Sequence, residues 1–212
     1  MNENVLREGL IVTARAMLDK GLNTGTSGNV SVRCNRGFLI TPTGRSGEDC
    51  RPDEMSLMAM DGSWQGICAP SSEWRIHRDL YAARPEAGAI LHAHSPFATA
   101  LACQGHDIPA FHYMIARFGG DSIRCARYAI FGSEALSTAA MAAMEGRKGC
   151  LLANHGMLAC GRDLEQALAH AVELETLCEQ YWRACQLGQP VLLDAAEMTL
   201  MQQKFTTYGQ PG

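Results

Sequence analysis

The chain has 212 residues, 47% hydrophobic and 19% charged, with a formal net charge of −4; these are values of an ordinary globular protein and exclude a disordered or fibrous chain. No apolar run reaches the roughly eighteen residues that a membrane span needs, and an acidic balance without a basic cluster argues against nucleic acid or an anionic membrane as partner. The start, MNENVLREG, lacks the basic-then-apolar order of a secretory signal, and the nine scattered cysteines contain no C-x-x-C pair, so the expectation is one domain over residues 1–212, cytoplasmic, acting on a small molecule.

Residues 4–20 place Leu6, Leu10, Ala14, Met17 and Leu18 at helical spacing and read as an amphipathic helix stopped by Gly21. Short strands at 29–33 and 38–40 flank the turn Asn35-Arg36-Gly37, and 57–65 reads as a second hairpin with Asp61-Gly62 at its tip. Residues 72–84 form a helix with hydroxyls at its start and Pro85 just beyond its end. An apolar strand at 87–93 leads into a helix that begins at Pro96. Segments near 108–114 and 124–130 are expected to be extended, and Ser133 caps a helix to about Glu145. Strands at 150–153 and 157–160 flank Asn154-His155-Gly156; Asp163 to Gln166 then opens a long helix to about Leu187 in the manner of a capping box, and a last helix covers 195–206. Hairpins mixed with helices predict an α/β layered fold on a largely antiparallel or mixed sheet, not a repeating βαβ domain.

In the stretch AILHAHSP, a strand would point His92 and His94 to the same face, because side chains alternate with period two. Core histidines bonded to carbonyls are the bland alternative, since a catalytic zinc needs a third protein ligand. His155 offers one, in a turn bracketed by apolar residues. Glu73 adds a carboxylate at the first turn of the 72–84 helix, where interaction with the helix dipole would also explain it. His77, four residues later on the same helical face, is a rival for either role. Three turns, Gly25-Thr-Ser-Gly-Asn29, Thr41-Pro-Thr-Gly44 and Pro70-Ser-Ser72, pair glycine with hydroxyl or amide groups and could seat a phosphate. Lys20, Lys148 and Lys204 are the only lysines, and none has the apolar setting that Schiff-base chemistry requires.

Taken in order, Gly25–Ser31, Ile40–Gly44, Pro70–Arg75, His92-Ala-His94, His112–Ile115 and Asn154–Gly156 resemble the class II aldolase/adducin family, nearest its L-fuculose-1-phosphate aldolase branch. The resemblance implies a three-layer α/β/α single domain around an antiparallel-rich mixed sheet, and a homotetramer with active sites at subunit interfaces. It implies that His92, His94 and His155 hold one Zn2+ per subunit, or another divalent ion, with Glu73 at the metal as the proton-transfer group. It further implies phosphate binding by Gly28, Asn29, Thr43, Gly44, Ser71 and Ser72, a neighbour-supplied Tyr113 at the aldehyde oxygen, and an aldehyde pocket of Phe131, Phe205 and Tyr208. His77 is left to support or pack.

The chemistry suits these residue types: zinc polarises the oxygens of a ketose 1-phosphate and stabilises the enediolate left when C3–C4 breaks. Glu73 would protonate it, best with a pKa that burial raises toward neutrality. The expected products are dihydroxyacetone phosphate and a small aldehyde such as lactaldehyde. L-Fuculose 1-phosphate is the leading substrate, with 5-deoxyribulose 1-phosphate or 5-methylthioribulose 1-phosphate as alternatives. Family epimerases acting on pentulose phosphates typically carry aspartate where this chain has Glu73, and family decarboxylases lysine where it has Ser72. A non-catalytic adducin-like module would have no need of the intact Glu73, His92, His94 and His155.

Overall fold

A computed structural model describes residues 2–207. Strand β1 (Asn29–Cys34) pairs with β2 (Gly37–Ile40) through the expected turn, and β3 (Ser56–Met58) and β4 (Trp64–Gln65) continue to one edge. On its other side β1 pairs with β5 (Ala89–Ala93), which is followed across the sheet by β8 (Gly156–Gly161), β7 (Gly149–Leu152) and β6 (Cys125–Ala126). Among these pairings only β6 with β7 is parallel, which makes the sheet mixed and antiparallel-rich.

Among the described residues there are six α-helices: α1 (Glu3–Asp19), α2 (Trp74–Ala83), α3 (Pro96–Ala102), α4 (Glu134–Met144), α5 (Leu164–Leu187) and α6 (Ala195–Thr207). Strand alternation sorts them into layers. Ala89, Leu91 and Ala93 of β5 join Leu10 and Met17 of α1, Ala98 of α3 and Leu174 and Leu177 of α5 in one core. Ile90 of the same strand joins Ile76 and Leu80 of α2 and Leu136 and Ala140 of α4 in the other. The result is the expected α/β/α arrangement, and burying each such leucine or isoleucine contributes about 1.5–3 kcal/mol.

The helix starts follow their capping residues. Ser133 accepts from the backbone N–H of Leu136 at 3.1 Å, and Asp163 from that of Gln166 at 2.7 Å. Residues near 113 depart from the extended form expected there: Tyr113–Phe118 is a 3-10 helix, opened by a bond from Met114 N–H to the His112 ring and closed by Gly119 at φ 93°. Residues 127–131 carry no strand either. All nine cysteines are free thiols, and among the described residues no helix is long and apolar enough to cross a membrane.

Candidate metal centre and substrate cavity

The start of β1 sets Asn29 opposite His92 on β5, and β8 sets Leu158 on the other side of His92. His94 lies one residue past the end of β5 and keeps the same face; its backbone N–H donates to Asn23 Oδ1 at 3.1 Å. Gly28 stands at φ 74° with the Asn23 amide so near that a Cβ would lie 2.3 Å from it, so this glycine leaves Asn23 the room to hold the His94 backbone. His155 comes from the turn between β7 and β8. Asn154 takes φ 54° there, a left-handed conformation asparagine tolerates better than most residues. Gly156 lets β8 approach β5, because a Cβ would sit 2.4 Å from the Ala93 carbonyl oxygen.

Glu73 caps α2, its carboxylate turned to the histidines and not to the helix N–H groups. The three imidazole centroids are 4.8, 4.8 and 4.9 Å apart, and one donor atom from each histidine and from Glu73 falls within 4.8 Å of the others. His92 Nε2 is 2.9 Å from His94 Nε2 and 3.0 Å from Glu73 Oε2; His155 Nε2 is 3.4 Å from Glu73 Oε1. Donors on a tetrahedral divalent ion bonded at about 2.0–2.1 Å sit roughly 3.3 Å apart, so the four residues fit one ion.

Two details support that fit. His92 Nδ1 donates to the Met157 carbonyl at 2.9 Å, which leaves the neutral ring's lone pair on Nε2, facing the cluster. Glu73 Oε1 is buried without a hydrogen bond, an orphaned charge-bearing atom that a cation would satisfy.

Burial and mutual repulsion hold the other rings neutral. Burial, then His92, pushes His94 down to about 4, and the same causes lower His155. Burial also opposes a proton on His92, yet the Glu73 carboxylate outweighs it and raises that ring. For Glu73 burial alone would raise the carboxyl, as the sequence led us to expect. Attraction to His92 and the hydrogen bond from it outweigh burial and hold it at about 2. Glu73 is therefore ionised at any ordinary pH, as a base or ligand must be.

Above the cluster is a cavity of about 340 Å³. Gly28, Asn29, Thr43, Gly44, Ser71 and Ser72 line it together with Glu73, His94 and His155, and so does Phe131. None of the three lysines does. Tyr113 and Phe205 lie elsewhere, with ring centroids 6.4 Å apart and planes nearly parallel at 6°, facing a separate cavity of about 620 Å³. Tyr208 falls outside the described residues. Thr26, Ser27, Tyr128 and Asn154 also line the first cavity. Thr26 and Ser27 belong to a turn whose composition already pointed to an anion, whereas Tyr128 sits in an irregular segment that carries no periodic signal.

Comparison with known proteins agrees with this geometry. Residues 8–182 match the family model described as Class II Aldolase and Adducin N-terminal domain. The chain is 54% identical over 204 residues to 5-methylthioribulose-1-phosphate/5-deoxyribulose-1-phosphate aldolase of Rhodospirillum rubrum, covering 96% of this chain and 92% of that one. It is 42% identical over 210 residues to L-fuculose phosphate aldolase of Escherichia coli K12, covering 99% and 98%. A solved structure titled L-fuculose 1-phosphate aldolase matches with a TM-score of 0.92 at 38% identity, over 95% of this chain and 96% of that one. The chain belongs to the class II aldolase and adducin family. Within that family it is an aldolase, a lyase that breaks a carbon–carbon bond.

Proposed function

We propose that the chain cleaves a ketose 1-phosphate reversibly into dihydroxyacetone phosphate and a small aldehyde, with 5-methylthioribulose 1-phosphate or 5-deoxyribulose 1-phosphate as substrate. The observation that carries this reading is the meeting of Glu73 with three imidazoles at one cavity whose walls hold all six residues expected to bind phosphate. L-Fuculose 1-phosphate, the leading substrate on sequence motifs, becomes the second reading. The 54% identity to the Rhodospirillum protein exceeds the 42% to the fuculose phosphate aldolase, while the structural match to the latter type keeps it open.

His92, His94 and His155 hold one Zn2+ per subunit in this reading, with Glu73 as fourth ligand. When bound, the ion supplies Lewis acidity to the ketose oxygens. The hydroxyls of Thr43, Ser71 and Ser72 and the backbone around Gly28 and Gly44 bind the phosphate, and Asn29 lines the same space. On cleavage the C3–C4 electron pair stays with the three-carbon fragment, and a proton that the ionised Glu73 first takes up from solvent passes to its C3. The C4 hydroxyl proton leaves through the phenol of Tyr113 of a neighbouring subunit, which passes its own proton to solvent, as the aldehyde forms. In condensation Glu73 removes the C3 proton and Tyr113 returns one to the new hydroxyl.

Phe131, 65% exposed, and Tyr128, 63% exposed, leave the aldehyde side of the cavity open in a single chain. A neighbour's Phe205 and Tyr208 would close it in a homotetramer, and an apolar wall suits a methyl or methylthio end.

The test is a panel of ketose 1-phosphates with dihydroxyacetone phosphate release as readout, alongside metal analysis. We expect about one zinc per subunit and the highest kcat/KM on the 5-deoxy or 5-methylthio substrate. Glu73→Gln should lower kcat by about 10²–10⁴-fold, the span of general acid–base catalysis. Faster cleavage of fuculose 1-phosphate selects the second reading; epimerisation of a pentulose 5-phosphate with no cleavage overturns both.

A further inference from the structure

Behind the histidine cluster five polar side chains form one unbroken buried chain. Tyr81 Oη lies 2.9 Å from Ser31 Oγ, and Ser31 Oγ lies 2.7 Å from His77 Nδ1. His77 Nε2 lies 2.6 Å from Asn29 Oδ1, and Asn29 Nδ2 lies 3.3 Å from Glu73 Oε2. None of the five residues is more than 6% exposed.

Two matched spacings build the chain. Glu73, His77 and Tyr81 follow one another at four-residue steps along one face of α2 and its cap, about 6 Å per step. Asn29 and Ser31 follow at a two-residue step on β1, about 6.6 Å. The near-equal repeats let the strand residues insert between the helix residues in alternation. Arg33, the next residue on that face of β1, locks the far end by donating to the carbonyls of Tyr81, Arg84 and Ala87.

Donor and acceptor chemistry fixes the direction of every bond. The ionised Glu73 carboxylate can only accept, so Asn29 turns its NH2 toward it and its carbonyl toward His77. A carbonyl can only accept, so His77 carries its proton on Nε2. Its Nδ1 lone pair then takes the Ser31 hydroxyl proton, and the Ser31 oxygen takes that of Tyr81. The reverse setting would press the Asn29 carbonyl against the carboxylate. Burying an imidazole costs several kcal/mol unless both nitrogens are bonded. A leucine would fill the same space without that requirement, so the ring's chemistry calls for an account.

We infer that His77 is a positioning residue, which acts through the Asn29 amide to hold the Glu73 carboxylate on the metal-ligand histidines. The inference rests on the reading of Glu73 as metal ligand and proton-transfer group. Burial, followed by His92, pushes the His77 ring down to about 3, in keeping with a ring that stays neutral.

Three measurements test it. The first is the nitrogen-15 NMR spectrum of histidine-labelled, metal-stripped protein, which reads the tautomer without substrate or turnover. We expect His77 neutral with its proton on Nε2; a proton on Nδ1, or on both nitrogens, overturns the proposal.

The second compares His77→Gln, whose amide reaches the Nε2 position, with His77→Asn, which reaches only Nδ1. Zn2+ affinity from chelator competition should fall about 10-fold or more in the asparagine variant and recover in the glutamine variant. On a cleaved ketose phosphate, the asparagine variant should lose about 10–100-fold in kcat with KM moved by less than about threefold. Equal losses in both variants mean that the ring merely packs, which overturns the proposal.

The third adds His77→Asn to Glu73→Gln. No further loss of kcat is expected, because both act through one group, and a full additional loss overturns the proposal. Should no ketose phosphate be turned over, the tautomer and the zinc affinities still decide about His77, so its failure is separable from failure of the aldolase reading. Should a variant not fold, the wild-type spectrum decides.

Discussion

At the scale of single residues, the motif Asn154-His155-Gly156 divides three tasks among three side chains. Asn154 accepts the left-handed backbone, His155 supplies an imidazole, and Gly156 admits the Ala93 carbonyl. His170 shows the opposite use of a histidine. It is 2% exposed, donates from Nδ1 to the Cys160 carbonyl at 2.7 Å, and is held by burial below its ordinary value of 6.5. A histidine whose folded value is depressed takes up a proton on unfolding, so its contribution is full above about pH 6.5 and is lost as the pH falls below it. Urea unfolding between pH 7 and pH 5 should therefore show stability falling with acidity. His170→Phe should flatten that slope by up to about 1.4 kcal/mol per pH unit. An unchanged slope would mean that the ring keeps its ordinary value in the fold.

At the scale of elements, the short helix α3 depends on a carboxylate from a distant one. Glu175 of α5 accepts from Ser95 Oγ at 2.6 Å and from the backbone N–H groups of Phe97 and Ala98 at 2.8 Å each. It thus does for α3 what a local cap does for α4 and α5, and it ties down the residue next to His94. Glu175→Ala should cost about 2–4 kcal/mol in urea unfolding, since it leaves charge-assisted donors buried without partners, and should weaken metal binding. A cost under about 0.5 kcal/mol would show that water replaces the carboxylate. The caps of α4 and α5 were legible because Ser133 and Asp163 lie in the chain beside the N–H groups they satisfy. Glu175 was not, being 77 to 80 residues from its partners. The start of α2 slipped for a related reason: Ser71 and Ser72 form the turn before the helix, with Trp74 N–H bonded to the Ser71 carbonyl.

At the scale of the whole molecule, one chain does not bring all the expected site residues together. Tyr113 and Phe205 face a cavity apart from the one that Glu73 lines, so the proposed role of Tyr113 needs a second subunit. The division predicts complementation between subunits. Glu73→Gln and Tyr113→Phe are each expected to be nearly inactive alone. After unfolding and refolding together, a 1:1 mixture should regain about a quarter of wild-type activity, because that share of sites combines an intact Glu73 with an intact neighbouring Tyr113. No regain would place Tyr113 in its own chain's site, and a fully active Tyr113→Phe protein would place it outside the chemistry.

The sequence by itself determined the three histidines and the glycine–hydroxyl turns that line the cavity. A period-two strand must present His92 and His94 together, and glycine with hydroxyl groups marks exposed backbone N–H wherever it falls. Spacing alone left Glu73 and His77 as rivals, four residues apart on one helical face, and only the tertiary structure shows where each side chain goes. The register of β1 against β5 sets Asn29 opposite His92. This brings Asn29 and Ser31 onto the two nitrogens of His77 and leaves Glu73, at the end of α2, against the three imidazoles. The ionisation of Glu73 was decided there too, because the charge of a buried carboxyl is a contest between lost water and gained neighbours, and the neighbours come from strands far apart in the chain.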